Sequence, residues 1–229
     1  MKISYGSCVW TPALGDEPLF QGWATSVKAS QLSLLDGGAV LPAGFKYQPE
    51  LLSTDNEREL VGRFAHLRFK EFEFQGYVGR RRVLSFGWKY DFNKKDLQKT
   101  DDIPAFLVPI RDRAAEFARL VPDELEQVLV TEYAPGAGIG WHKDKSIFGD
   151  VVGISIVAAC VFRLRRKIGE TWQRASLTVQ PRSAYLLRGA SRIDWEHSIP
   201  PLDSLRYSIT FRTFRLGGAP EKSRVNSLR

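Results

Sequence analysis

Thr131-Glu-Tyr-Ala-Pro-Gly-Ala-Gly-Ile-Gly-Trp-His-Lys-Asp144 is the stretch that decides how this chain is read. Its first residues end a strand-like run, Glu126 to Tyr133, and Pro135 to Gly140 is rich in turn formers. His142 and Asp144 follow, two residues apart. On an extended strand that spacing turns both side chains to one face. Downstream, Asp194-Trp-Glu-His-Ser-Ile supplies a second imidazole at His197. Next comes Arg206-Tyr-Ser-Ile-Thr-Phe-Arg212, where alternation sets Arg206, Ser208, Thr210 and Arg212 on one face and Tyr207, Ile209 and Phe211 on the other. The chain has only three histidines. The third, His66, falls in a helix-like segment and reads as structural or surface.

Two imidazoles and one carboxylate, with other positions open, form the ligand set of non-haem iron(II) oxygenases. The arginine pair adds a second constraint. A six-residue step along a strand covers roughly 20 Å at about 3.3 Å per residue, so two guanidinium groups leaning together span a small dicarboxylate. Buried arginines need anionic partners, because an unpaired buried charge is very costly. A dicarboxylate cosubstrate would supply them. An HxD triplet alone, or an RxxxxxR alone, has bland readings as a chance triplet and a pair of surface charges. Their order along one chain is more specific.

Tyr133-Ala-Pro-Gly-Ala, His142-Lys-Asp144, His197 and Arg206 to Arg212 together resemble the AlkB family of iron(II)/2-oxoglutarate dioxygenases, over about residues 41–214. The resemblance implies iron(II) held by His142, Asp144 and His197, with 2-oxoglutarate and O2 in the open positions. It implies Arg206 and the Tyr133 hydroxyl on the distal carboxylate of 2-oxoglutarate, and Arg212 toward the carboxylate nearest the metal. The implied activity is oxidative demethylation of N-alkylated bases in DNA or RNA, releasing formaldehyde, succinate and CO2. Three positions depart from the family pattern. Ser208 and Thr131, both on the cosubstrate side, stand where asparagines are usual. Ser146 stands where the founding bacterial enzyme has a carboxylate that reads the methylated base.

The net charge of +7 favours polyanionic partners, with clusters at Arg80-Arg81-Arg82, at Arg163 with Arg165-Arg166-Lys167, and at Lys222, Arg224 and Arg229. A solvated basic surface is the alternative. The first cluster runs into Phe86, Trp88, Tyr90 and Phe92, and cations beside aromatic faces are what a nucleotide-binding surface requires. In the family this stretch, about 72–95, resembles the nucleotide-recognition lid, so Arg80, Arg81, Arg82, Trp88, Tyr90, Phe92 and Ser146 are the candidate substrate residues. A hairpin whose aromatics simply fill the core is the competing reading. No apolar run is long enough to span a membrane, and the N-terminus lacks the apolar core of a signal peptide. Cys8 and Cys160 are too few for a disulfide framework or a thiolate site. A cytoplasmic monomer is expected.

Along the chain, residues 1–40 read as an irregular arm, 41–215 as one catalytic domain and 216–229 as a polar tail. Thr54 with Glu57 predicts a capping box and a helix burying Leu60, Phe64 and Leu67. A second helix is expected from Pro109, with Ile110, Ala114, Phe117 and Val121 as its buried stripe. Gly153 to Arg163 reads as one long buried strand, followed by short strands at 175–180, 184–187 and 205–214. Helices early and short strands late predict an α+β chain with a double-stranded β-helix (jelly roll) core, N-terminal helices packed on one side, and a lid. Two other functions share these features. A same-fold oxygenase could act on a protein side chain or small metabolite, and a non-catalytic jelly-roll module could carry the HxD by accident.

Overall fold

A computed structural model describes residues 40–74, 77–91 and 96–215. The expected arm, apart from Val40, the lid residue Phe92 and the C-terminal tail lie outside the described residues. In chain order the elements are β1 (Lys46–Gln48), α1 (Thr54–Phe64), β2 (Lys70–Phe74), β3 (Tyr77–Phe86), β4 (Trp88–Asp91) and β5 (Asp96–Lys99). Then come α2 (Val108–Ala118), β6 (Gln127–Tyr133), β7 (Ile139–His142), β8 (Phe148–Ile156), β9 (Cys160–Ile168) and β10 (Thr171–Val179). The chain closes with β11 (Ala184–Leu187), the short α3 (Ala190–Ile193), β12 (Glu196–Ile199) and β13 (Arg206–Phe214). Every strand pair is antiparallel. A seven-stranded sheet, β1-β11-β8-β13-β6-β3-β2, and a four-stranded sheet, β10-β9-β12-β7, make the jelly-roll core; β4 and β5 form a separate two-stranded ribbon.

The alternation read along β13 sorts the molecule into two cores. Tyr207, Ile209 and Phe211 join Leu60 and Phe64 of α1 and Ile110, Ala114 and Ala118 of α2 in a core between the large sheet and the helices. On the opposite side of the sheet Tyr133, Phe162, Leu164, Tyr185, Leu187 and Ile199 fill the space between the two sheets. Gly153 on β8 makes room there, because a Cβ at this position would enter the Tyr185 ring.

Three sequence expectations are corrected. The capping residue of α1 is Ser53, not Thr54: its Oγ accepts from the Asn56 N–H at 3.1 Å, and Asn56 Oδ1 accepts back from Ser53 N–H at 3.4 Å. Two overlapping S/T-x-x-polar signals compete here. The losing Glu57 is used elsewhere, accepting from Val157 N–H at 2.8 Å and Arg182 Nη1 at 3.2 Å. Leu67 falls beyond the helix yet packs on the same core. Second, α2 ends where Arg119 turns left-handed (φ 56°), so Val121 lies past the helix, 62% exposed, and Ala115 and Ala118 complete the stripe instead. Third, the run from 153 to 163 is two strands, β8 and β9, broken at Val157, whose φ is +75°.

Candidate active site

The four-stranded sheet brings His142 and His197 side by side, with Asp144 two residues beyond His142. His197 on β12 is the direct cross-strand partner of His142 on β7, and their ring centroids are 4.2 Å apart. Phe162 stacks on His197 at 5.3 Å. His142 Nδ1 lies 2.9 Å from the Gly140 carbonyl, which can only accept, so the proton sits on Nδ1 and the Nε2 lone pair is free for a metal. Asp144 lies just past the end of β7 rather than on it.

Burial keeps both imidazoles neutral. For His197 burial, then the neighbouring His142, pushes the pKa down to about 3. For His142 burial lowers it against the opposing pull of Asp144. Burial alone would raise the Asp144 carboxyl, but the charge of Arg212, with Arg192 behind it, outweighs that and holds the group well below the usual carboxylate range. Two neutral nitrogens and one ionised oxygen suit iron(II). As the side chains stand, no group of three or more His, Cys, Asp or Glu among the described residues closes into a metal cage. Asp144 Oδ1 instead accepts from Arg212 Nη2 at 3.0 Å, so closing the triangle requires the carboxylate to turn from, or share, that partner.

Arg206 is the largest fully buried side chain among the described residues. Its Nε donates to Ser155 Oγ at 3.0 Å, and Nη1 and Nη2 are both buried without a hydrogen-bond partner. The guanidinium carbon lies 5.0 Å from the centre of the Tyr133 ring, and Tyr133 is its cross-strand neighbour on β6. Ser208 is flanked on the adjoining strands by Thr131 and Ser155, giving a floor of small hydroxyl side chains. Two parallel donors with no acceptor fit one carboxylate end of 2-oxoglutarate. The residues therefore fit both the metal and the cosubstrate. Arg212 lies at the metal end of the site: its Nη1 donates to Gln127 Oε1 at 2.9 Å and its Nη2 to Asp144 Oδ1 at 3.0 Å.

The basic run on β3 is divided by strand alternation. Arg81 pairs in register with Tyr133 and turns to the pocket side, its guanidinium 3.9 Å from the Phe72 ring centre, where burial lowers its pKa. Arg82 turns to the helix side and is held by Glu132, Nε to Oε1 at 2.7 Å. Arg80 is exposed, with Gly136 beside its Nη1. Gly87 (φ +74°) redirects the chain from β3 into the β4–β5 ribbon; a Cβ there would strike the Glu126 carbonyl. On the ribbon Trp88 packs edge-on against Phe214, and Tyr90 lies under Lys145 Nζ at 5.0 Å. Ser146 is exposed in the same loop as Lys145.

Sequence reading missed Ser155, Gln127 and Arg192. Ser155 and Gln127 could have been found by extending the β13 alternation to its neighbours. Arg192 had no signal: from α3 it donates to the carbonyls of Asp144, Lys145, Phe148 and Gly149 at 3.4, 2.6, 2.9 and 3.0 Å, clamping the loop that carries Asp144.

Residues 54–224 match the family described as the 2OG-Fe(II) oxygenase superfamily. A curated relative, "Alkylated DNA repair protein ALKBH8 homolog" of Arabidopsis thaliana, is 24% identical over 80% of this chain and 59% of its own length. The Mus musculus protein named "tRNA (carboxymethyluridine(34)-5-O)-methyltransferase ALKBH8" is 27% identical over 77% of this chain and 27% of its own length. The chain thus spans less than two thirds of the length of each of these two relatives. Among solved structures, "The structure of OsALKBH1" superposes with a TM-score of 0.58 at 18% identity, covering 76% of this chain and 98% of that one.

Proposed function

We propose an activity from one premise: this chain belongs to the 2OG-Fe(II) oxygenase superfamily and, within it, to the AlkB family. Its cofactors are iron(II), 2-oxoglutarate and O2. The proposed reaction is oxidative demethylation of N-alkylated bases in nucleic acid, carried out in the cytoplasm. The observation that carries the oxygenase reading is the fully buried Arg206 with two orphaned nitrogens, on the barrel side of the sheet beside Tyr133.

His142 and His197, kept neutral, and the ionised Asp144 would hold the metal. Iron(II) held there would activate O2 as the oxidant, with 2-oxoglutarate giving two electrons and leaving as succinate and CO2, the chemistry by which an N-methyl group is hydroxylated and lost as formaldehyde. Arg206 would take the distal carboxylate of 2-oxoglutarate, with the Tyr133 ring against its guanidinium and the Thr131–Ser208 floor leaving room for the chain of the keto acid. Arg212 would steer the Asp144 carboxylate. A base inside a duplex is out of reach, so the target must be flipped out or single-stranded. Arg81, turned to the pocket, and Tyr90 on the ribbon would receive it, one as a cation and the other as a stacking face. The net charge of +7 supports a polyanionic substrate.

The test is mass spectrometry of DNA and RNA oligonucleotides carrying 1-methyladenine, 3-methylcytosine or etheno bases, and of methylated tRNA, incubated with protein, iron(II), ascorbate and 2-oxoglutarate. Loss of the methyl mass with matching formaldehyde and succinate is expected. Succinate formed with every nucleic acid left intact would move the substrate to a protein side chain or small metabolite.

A further inference from the structure

The second basic cluster, on β9, plays no part in the pocket. Alternation turns Arg163, Arg165 and Lys167 to the outer face of the four-stranded sheet, away from Phe162 and Leu164 in the barrel core. On β10 their register partners are Ser176, Arg174 and Trp172, and on β12 Arg163 and Arg165 face Ser198 and Glu196. Trp141, next to His142 on β7, points outward as well. The Arg165 guanidinium lies 4.4 Å from the Trp141 ring centre and 4.2 Å from that of Trp172, so it bridges two indoles; Arg163 lies 5.1 Å from Trp141.

Four cations share this face with two carboxylates at hand: Glu196, which Arg165 holds at 2.7 Å, and Glu170 in the β9–β10 turn, 3.6 Å from Lys167. Arg165 and Arg174 sit directly opposite each other, an arrangement unfavourable without an anion between or beside them. Arg163 and Arg174 have no anionic partner among the described residues. Trp172 and Val161 leave apolar surface open, 37% and 42% exposed.

We propose that this outer sheet face is a docking platform for a single-stranded polynucleotide flanking the target base, an inference that rests on the nucleic-acid reading above. Cations for phosphates beside indole faces for bases are the two components of such surfaces. Three inter-strand gaps of about 4.8 Å make the face roughly 14 Å wide, and other four-stranded sheets stack two or three bases on theirs. Charge selects the occupant: an ordinary protein surface carries both signs in balance, whereas four cations against two carboxylates, with Arg163 and Arg174 unpaired by any anion among the described residues, complement a polyanion. The platform also lies one sheet thickness from the candidate centre, since Trp141 and His142 are successive residues on opposite faces of β7. As an edge strand, β7 leaves a bound chain free to round it toward the pocket.

The experiment is fluorescence anisotropy of a labelled, unmodified 12-nucleotide single strand with the full chain, titrated against salt. Trp172→Ala should weaken binding about 5- to 100-fold, the worth of a stacked base, with Trp172→Phe retaining most of it and thermal melts reporting the fold. The double variant Lys167→Gln, Arg174→Gln should flatten the log–log salt dependence by about 1.4, from two phosphate contacts at roughly 0.7 each. Affinity and slope unchanged in these variants while Arg81→Gln weakens binding would overturn the platform and leave the nucleic-acid reading standing. A parent chain that fails to bind at all would sink both. Equal competition by polyglutamate with Trp172→Ala neutral would also overturn it, showing a general polyanion site.

Discussion

At the scale of single residues, the two arginines of β13 have opposite fates despite sharing a face. Arg212 is engaged by Asp144 and Gln127, whereas Arg206 is buried with two nitrogens unmatched. An uncompensated buried charge costs stability, and a fold keeps one only where something else requires it. Arg206→Met should therefore make the metal-free protein more stable, by about 1–4 kcal/mol, because it fills the same volume without the charge. The same change should abolish the response to cosubstrate. A ligand that binds only the folded state stabilises it by about 2.7 kcal/mol at a hundred times its Kd. Urea denaturation of parent and variant, with and without 2-oxoglutarate, measures both effects. A variant still stabilised by 2-oxoglutarate as the parent is would show that the carboxylate sits elsewhere.

Between elements, the placement of Asp144 depends on α3. Arg192, 5% exposed, donates to the carbonyls of Asp144 and Lys145 in the loop from β7 to β8 and of Phe148 and Gly149 at the start of β8, so its role is to set the shape of that loop. Lysine keeps the charge but cannot fork to four acceptors. Arg192→Lys should lower affinity for Mn(II), titrated as a stand-in for iron(II), by about 10–100-fold, the usual effect of losing support behind a ligand. Unchanged Mn(II) affinity would reduce the clamp to a stability device. None of this was legible in the sequence, since the arginine and the loop it grips lie more than forty residues apart. What was legible is local: strand parity placed Arg206, Ser208 and Arg212 on one face, and HxD spacing with His197 picked out the His142–His197 pair that β7 and β12 set side by side. The break between β8 and β9 was hidden for the opposite reason. Val157 carries a positive φ without glycine or proline to mark it, and Glu57 of α1, a hundred residues away, holds its N–H. The displaced capping box has the same cause, because the glutamate that completes the motif in sequence is the one recruited to that turn.

For the molecule as a whole, the cost of the site appears as pH dependence. The large sheet carries an apolar core on its helix side, while its barrel side encloses polar and ionisable groups whose charge states are fixed by burial. His197 is the clearest: buried, with its pKa near 3 in the folded chain against 6.5 in an accessible imidazole. Above pH 6.5 neither state binds the proton and the histidine contributes no pH dependence. Below it the unfolded chain takes up a proton that the folded one refuses, so stability falls as pH drops, until the folded group itself titrates. Between pH 8 and pH 5 the loss from this residue is about 2 kcal/mol. His142, shifted the same way by burial, adds to it. Asp144 acts later. Its depressed carboxyl contributes stability that is present above the unfolded value of 3.8 and disappears only in more acid solution. Urea denaturation of the metal-free protein in chelator at pH 8 and pH 5 should show this slope, and His197→Asn should remove about 2 kcal/mol of the difference, since an amide does not titrate. Equal pH dependence in parent and variant would mean that His197 reaches water in the metal-free state, and that the barrel opens where the donors meet.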